Sequence, residues 1–437
     1  MKRTFLCSLV LLATMACWAC GASLAPQDVK LDGLKVMIVP LGATAVIEPL
    51  PVQHNTWESV LPAGKPSFRG PAFLPKCAWS FGSLKPGSLV ITPADQPKVM
   101  LAEGRDYALD PGLAAIGAVE GSQYAGQKWR FEYDYTYTRL DLIEKTTDGK
   151  VVVKKGAEDK SEPVLPEVSP GATALASVYL GPNTTALTME NINLIDPAYN
   201  GVPPVSGAEV LTGVRQDLAA GKPATIVFLG DSITDQKPKD FRDGKGSFVD
   251  RFVTYLAAKY PESRVVTTPR ETPVPAADKQ IVVVRAGVGG DDTRGALKRF
   301  DADVLAHKPD VVVIMLGVND ENRGRQGNSV PVAEYRKNLE AMVTKAEGAG
   351  AAVIVMTTSM KNLKWSATVG NLNEYAMAAR EVAGARKCCL VDNFAAWQQI
   401  GRRGLNYMVL LGTCLNHPID RGHQIFFEGL KAALEAK

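Results

Sequence analysis

Ala224-Thr225-Ile226-Val227-Phe228-Leu229 runs directly into Gly230-Asp231-Ser232-Ile233-Thr234. An apolar run of this length ending in Gly reads as a buried strand entering a tight turn. Open α/β sheets place their ligands at the carboxyl ends of such strands. The Ser232 hydroxyl is lifted out of the sheet there, and a base beside it would make it a nucleophile.

The same pattern repeats downstream. Apolar strands near 225–230, 281–287, 311–317, 352–358 and 388–392 alternate with helical segments near 247–259, 292–306, 331–348, 371–384 and 421–436. Phe248, Val249, Phe252, Val253 and Leu256 give the first of these helices one apolar face. Strand–helix alternation with nearly all-apolar strands predicts an α/β fold whose parallel sheet is covered on both faces. Residues 267–280, with three prolines, read as a surface insertion.

Upstream, residues 27–197 read as a β-rich accessory domain. Between Trp129 and Tyr137 the residues Phe131, Tyr133, Tyr135 and Tyr137 share one face and Arg130, Glu132, Asp134 and Thr136 the other, the period of a half-buried strand. Thr147-Asp148-Gly149-Lys150 between two apolar runs predicts a hairpin. Residues 156–171 read as a loop, with further strands near 174–180 and 186–195. So many short strands pack naturally as a sandwich or open barrel. A Pro- and Gly-rich stretch from Pro197 to Gly207 opens a linker, residues 198–221, and the α/β domain spans 222–437.

Lys2-Arg3, the apolar stretch Phe5–Ala16 and the small residues Ala19-Cys20-Gly21-Ala22 read as a secretory signal peptide, residues 1–22. Ala16-Cys17 also resembles a bacterial lipoprotein signal, so the mature protein is either released or held by a lipid anchor. Both readings place it in the secreted, periplasmic or cell-envelope compartment. No other stretch is long and apolar enough to span a bilayer. The net charge of +3 falls to +1 once Lys2 and Arg3 are removed, and so small a charge points to no nucleic-acid partner. The cysteines beyond the signal, Cys77, Cys388, Cys389 and Cys414, are too few for a disulfide scaffold in so long a chain. Neither they nor the four histidines show metal-ligand spacing, so no metal or cofactor is expected.

Three further turns carry polar groups. Gly289-Gly290-Asp291-Asp292 follows the strand Ile281–Val284, and Gly317-Val318-Asn319-Asp320 follows Val311–Leu316. Asn416-His417-Pro418 precedes the last helix. Each has a plainer reading: turn chemistry for the glycines, an Asx-turn for Asn319, a structural role for His417. His423 reads as structural, and His54 and His307 as loop and surface residues. Taken together and in this order, the turns supply a nucleophile, a base and oxyanion donors, the parts that acyl transfer needs.

At these residues the sequence resembles the SGNH (GDSL) hydrolase family, over about 222–437. Gly230-Asp231-Ser232-Ile233-Thr234 is similar to its first block, implying Ser232 as nucleophile and its N–H as an oxyanion donor. Arg285-Ala286-Gly287-Val288-Gly289-Gly290-Asp291-Asp292-Thr293 is similar to the second block, implying the Gly290 N–H as a second donor. Gly317-Val318-Asn319-Asp320 resembles the third, implying the Asn319 amide as a third donor. His417-Pro418 with Gly422-His423 resembles the last, implying His417 as base. The resemblance implies a flavodoxin-like three-layer α/β/α sandwich and a serine ester hydrolase.

Two positions depart from the family pattern. Arg285 stands where the second block usually opens with Asn, and Cys414 stands three residues before His417, in the place of the triad Asp. Three outcomes follow for the third triad member: a backbone carbonyl near Cys414 orients His417 and leaves a dyad, a carboxylate such as Asp392 or Asp420 reaches it, or the site is weakened. The expected substrate is an acylated small molecule or polysaccharide, with a short acyl group such as acetyl. Loop 359–371, with Lys361, Lys364 and Trp365, is a candidate to shape that site. The rival readings are a lipase-like or thioesterase activity and a carbohydrate-binding protein that has lost the catalytic acid.

Overall fold

The computed structural model describes residues 23–275, 277–412 and 414–436. The expected signal peptide and the lipid-anchor cysteine, Cys17, lie outside them. The chain divides into two compact units: Met1–Asn200 with Ile400–Cys414, and Gly201–Gln399 with Leu415–Lys437.

The second unit is built on a seven-stranded sheet. Its strands are β1 (Val205–Ser206), β2 (Ala224–Gly230), β3 (Arg264–Pro269), β4 (Gln280–Gly287), β5 (Val311–Met315), β6 (Ala352–Met356) and β7 (Cys389–Val391). Their order across the sheet is β1-β7-β6-β5-β2-β4-β3, with β1 antiparallel and the rest parallel. The helices are α1 (Thr212–Ala219), α2 (Phe248–Lys259), α3 (Thr293–Asp303), α4 (Val332–Gly348), α5 (Leu372–Arg386), α6 (Asn393–Gln398) and α7 (Asp420–Glu435).

The three layers follow from alternation within the strands. Val227 and Leu229 of β2 enter a core with Phe300 of α3, Leu339 and Met342 of α4, and Ala379 and Val382 of α5. Phe228, on the opposite face of β2, meets Phe248 and Phe252 of α2 edge-on, and Phe248 meets Phe426 of α7. Both faces of β2 are therefore buried, and every residue of that strand is buried. The chain passes from β2 to β3 and β4 on one side and to β5, β6 and β7 on the other. That reversal at β2 is the topological switch point, where such sheets bind ligands.

Two segments differ from the sequence reading. Thr267–Pro269, read as part of an insertion, completes the edge strand β3, where a proline at the strand end costs little because one side of an edge strand is unpaired. Residues 198–221, read as a linker, contain β1 and α1.

The first unit holds the expected β-rich region. Its short sheets pack in pairs over two cores. One core joins the sheet of Val29–Asp32, Lys35–Ile38 and Ala43–Val46 to that of Arg139–Lys145, Val151–Lys154, Thr173–Leu180 and Ile192–Leu194. The other joins Gln53–Val60, Val90–Pro93 and Lys128–Tyr135 to Ala72–Phe73, Tyr107–Asp110 and Ala115–Ala118. Phe131, Tyr133 and Tyr135 are buried as their period of two requires, and Lys145 pairs with Val151 across the Asp-Gly turn. Ile400–Cys414 belongs to this unit: Ser177 Oγ donates to the Gly404 carbonyl (2.7 Å), and Arg402 pairs with Asp196. This segment holds two short 3₁₀ turns and carries no apolar periodicity that would have assigned it.

Candidate active site

In the sheet, Gly230 lies beside Gly287 of β4 on one side and Met315 of β5 on the other. The turns that follow these three strands therefore leave the same edge at one level. Ser232 opens a single helical turn, Ser232–Asp235, capped by the Asp231 carboxylate, which accepts from the Ile233 N–H at 2.8 Å. Gly287 permits the close approach. A Cβ there would lie 2.6 Å from the Asp235 nitrogen and 3.0 Å from the Asp231 carbonyl, displacing the turn that carries the serine.

His417 comes to Ser232 from the segment before α7. Its Nε2 lies 2.8 Å from Ser232 Oγ. Burial lowers the imidazole pKa below its ordinary value, with the Asp240 charge opposing, so the neutral, proton-accepting form is favoured. His423 helps to hold this segment. Its Nδ1 accepts from the Phe248 N–H (3.0 Å), so its Nε2 carries the proton and donates to Gln236 Oε1 (2.9 Å). Gln236 Nε2 in turn donates to the Pro418 carbonyl at 3.2 Å.

Among the described residues, no carboxylate is bonded to His417. The Cys414 thiol lies in the first unit and donates to the carbonyls of Trp79 (3.7 Å) and Lys160 (3.8 Å). Asp392 is taken by Thr357 Oγ1 (2.9 Å) and by Arg380 Nε (2.7 Å). Asp420 accepts from the Arg242 N–H at 3.1 Å.

The turns that carry Gly290 and Asn319 are tied to their surroundings by several bonds. Gly290 adopts φ +81°, a conformation open to glycine at no steric cost, and is exposed. Asn319 Nδ2 donates to the Asp291 carbonyl at 2.8 Å, which ties the turn after β5 to the turn after β4. Asp320, buried, accepts from the Thr293 N–H (3.0 Å) and its hydroxyl, and burial raises its pKa to about 6. Arg299 of α3 locks the strand ends together. Its guanidinium donates to the carbonyls of Gly230 (3.1 Å) and Ala286 (2.9 Å) and to the carboxylates of Asp291 (2.7 Å) and Asp303 (3.0 Å).

Arg285, the departure in the second block, supports the exit of the nucleophile turn. It pairs with Asp250 (2.6 Å) and donates to the Gln236 carbonyl (3.1 Å). Other readings change. Lys361, in the loop expected to shape the substrate site, is buried against Glu321, and Trp365 is buried too, the alternative that a core role for this Trp allows. His307 is buried, with Nε2 at 2.8 Å from the Arg270 carbonyl, and His54 lies on the strand Gln53–Val60. Arg299, Glu321 and Asn322 gave no signal in the sequence because their partners lie far away along the chain. Among the described residues, no group of three or more His, Cys, Asp or Glu could hold a metal ion, and no helix is long and apolar enough to cross a membrane.

A serine off the switch-point strand, hydrogen-bonded to a histidine, is the nucleophile–base pair of a serine hydrolase. The sequence model of the GDSL-like Lipase/Acylhydrolase family matches residues 228–425, and this region is that of a GDSL-like serine carboxylic ester hydrolase. The chain is similar to an acetylxylan esterase of Geobacillus stearothermophilus, 28% identical over 221 residues, 47% of this chain and 91% of that protein. An uncharacterized lipoprotein of Bacillus subtilis is 29% identical over 133 residues, 30% of this chain and 47% of that protein. Among solved structures, an acetylxylan esterase of G. stearothermophilus aligns with a TM-score of 0.39 at 25% identity, covering 49% of this chain and 95% of that one.

Proposed function

We propose that this protein is an exported esterase that removes short acyl groups, acetyl foremost, from carbohydrate through an acyl-enzyme on Ser232. The observation that carries the reading is the 2.8 Å contact between Ser232 Oγ and His417 Nε2. In the first step His417 Nε2 takes the hydroxyl proton as Oγ attacks the ester carbonyl carbon. The charge that develops on the carbonyl oxygen is met by the N–H groups of Ser232 and Gly290 and by the Asn319 side-chain amide. The imidazolium returns its proton to the leaving alcohol, and the acyl group stays on Ser232. Water then attacks the acyl-enzyme, giving its proton to His417, and the acid departs as Oγ is reprotonated.

With no carboxylate among the described residues bonded to His417, Ser232 and His417 work as a dyad. The imidazolium lacks the partner that fixes its tautomer and stabilises its charge in a full triad. This is also the observation behind a second reading, a carbohydrate-binding protein of weakened activity. Carbohydrate as substrate is supported by the acetylxylan esterase relative, of which 91% is covered. Export rests on the N-terminal segment. The β-rich first unit serves in this reading as an accessory module.

The test is acetate release from acetylated xylo-oligosaccharide, measured beside p-nitrophenyl acetate, butyrate and octanoate. Acetate release with a steep fall in kcat/KM from acetate to octanoate supports the reading. A preference for octanoate moves the assignment to a lipase-like enzyme, and binding without hydrolysis of any ester moves it to the binding protein.

A further inference from the structure

Lys361 and Glu321 form an ion pair with side-chain exposures of 1% and 0%. Burying such a pair gives little or no stability over apolar residues of the same volume, so its presence calls for another role. The surroundings suggest one. Lys361 Nζ donates to the Val318 carbonyl (3.0 Å), Glu321 Oε2 (2.6 Å) and Asn322 Oδ1 (2.7 Å), which uses all three ammonium protons. The other oxygen of Glu321 accepts from Thr368 Oγ1 (2.6 Å) and the Gly370 N–H. From Asn322 the chain of bonds continues. Asn322 Nδ2 donates to Asn319 Oδ1 at 3.2 Å, and Asn319 Nδ2 donates to the Asp291 carbonyl at 2.8 Å.

A primary amide can usually be turned over without loss of shape, exchanging donor for acceptor. Here neither can turn. An ammonium has donors and no acceptor, and a backbone carbonyl accepts only. With Lys361 at one end, Asn322 must present Oδ1 to it and Nδ2 to Asn319. With the Asp291 carbonyl at the other, Asn319 must present Nδ2 there. Its Nδ2 carries two protons, and the Asp291 carbonyl takes one.

We propose that Lys361 and Asn322 are positioning residues for ester hydrolysis, fixing the polarity of the Asn319 amide so that its second Nδ2 proton is held ready for the oxyanion. This rests on the reading of Asn319 as an oxyanion donor and adds the device that orients it.

Asn322→Asp tests the relay with almost no change of shape. The carboxylate still accepts from Lys361 but cannot donate to Asn319 Oδ1, so the Asn319 amide keeps the Asp291 carbonyl, loses one of its two orienting partners and faces a carboxylate oxygen on its own carbonyl side. The experiment measures kcat and KM on p-nitrophenyl acetate for the full chain, Asn319→Ala, Asn322→Asp and the double variant, with thermal melts to establish folding. Removing one oxyanion donor costs about 10²- to 10³-fold in kcat. Asn319→Ala should show that loss and Asn322→Asp about 10²-fold, both with KM nearly unchanged. The double variant should be no slower than Asn319→Ala, because Asn322 acts only through Asn319. Wild-type kcat in Asn322→Asp, or multiplication of the two losses in the double variant, overturns the relay while leaving Asn319 as a donor. Wild-type kcat in Asn319→Ala overturns the donor reading itself, and the relay with it.

Discussion

In the turns after β4 and β5, Asp291, Asn319 and Asn322 are each held from two sides or more. Across the same site the His417 ring is held by its bond to Ser232, and its segment by backbone carbonyls that accept from Gln236 at Pro418 (3.2 Å) and from the Asn362 N–H at Leu415 (2.7 Å). Oxyanion donors act by being fixed before charge develops, so rigid placement there translates into rate. A base must move a proton between two oxygens and accept a charge, and without a bonded carboxylate that charge is less well stabilised. In the proposed mechanism the two sides therefore differ in kind: the amide turns contribute fixed geometry, and the imidazole contributes proton transfer without a bonded carboxylate.

Four changes break or sharpen this contrast. The largest effect is expected from His417→Ala, which removes the base and should lower kcat on p-nitrophenyl acetate on the order of 10⁴-fold. A loss under tenfold would mean that another group takes the serine proton. Arg299→Met deletes four charge-assisted bonds that tie Gly230, Ala286, Asp291 and Asp303 together. We expect about 3 kcal/mol of lost stability, read as a Tm lower by about 6–12 °C. An unchanged melting temperature would show that the strand ends are held without it.

Asp231→Asn probes the carboxylate beside the nucleophile. Burial raises its pKa from 3.8 to about 7. Because the folded value is the higher one, the stability linked to this group is full below pH 3.8 and is lost as pH rises through 7. Asparagine keeps the acceptor for the Ile233 N–H without the charge. The Tm of Asp231→Asn relative to wild type should therefore rise between pH 4 and pH 8, by the equivalent of on the order of 2–4 kcal/mol. A difference independent of pH would contradict the assignment. The smallest effect is expected from Cys414→Asp. The Cys414 thiol lies against the carbonyls of Trp79 and Lys160, in the first unit rather than on His417, so activity should not increase. A tenfold gain would mean that residue 414 can reach the imidazole after all.

Much of the second unit was legible in the sequence because β2, β4, β5 and β6 are largely buried on both faces and read as mostly apolar runs. The turns carrying Ser232, Gly290 and Asn319 were legible because each directly follows such a strand. What escaped depends on distant partners. Lys361 read as part of a loop that shapes the substrate site, and its burial is accounted for by Val318, Glu321 and Asn322, some 40 residues earlier. Arg299 went unremarked in the sequence, and one of its partners, Gly230, lies 69 residues away. Cys414 occupies the sequence position of an acid, but the chain turns back to the first unit over Ile400–Cys414, and no local pattern encodes that return.

The most direct test of the account is p-nitrophenol release from p-nitrophenyl acetate by the full chain and by Ser232→Ala, with mass spectrometry of the peptide that contains residue 232. The account predicts an acetyl group on Ser232 during turnover and a rate lower by on the order of 10⁴-fold or more in Ser232→Ala. Equal rates in the two proteins, with no acetyl adduct on Ser232, would contradict it.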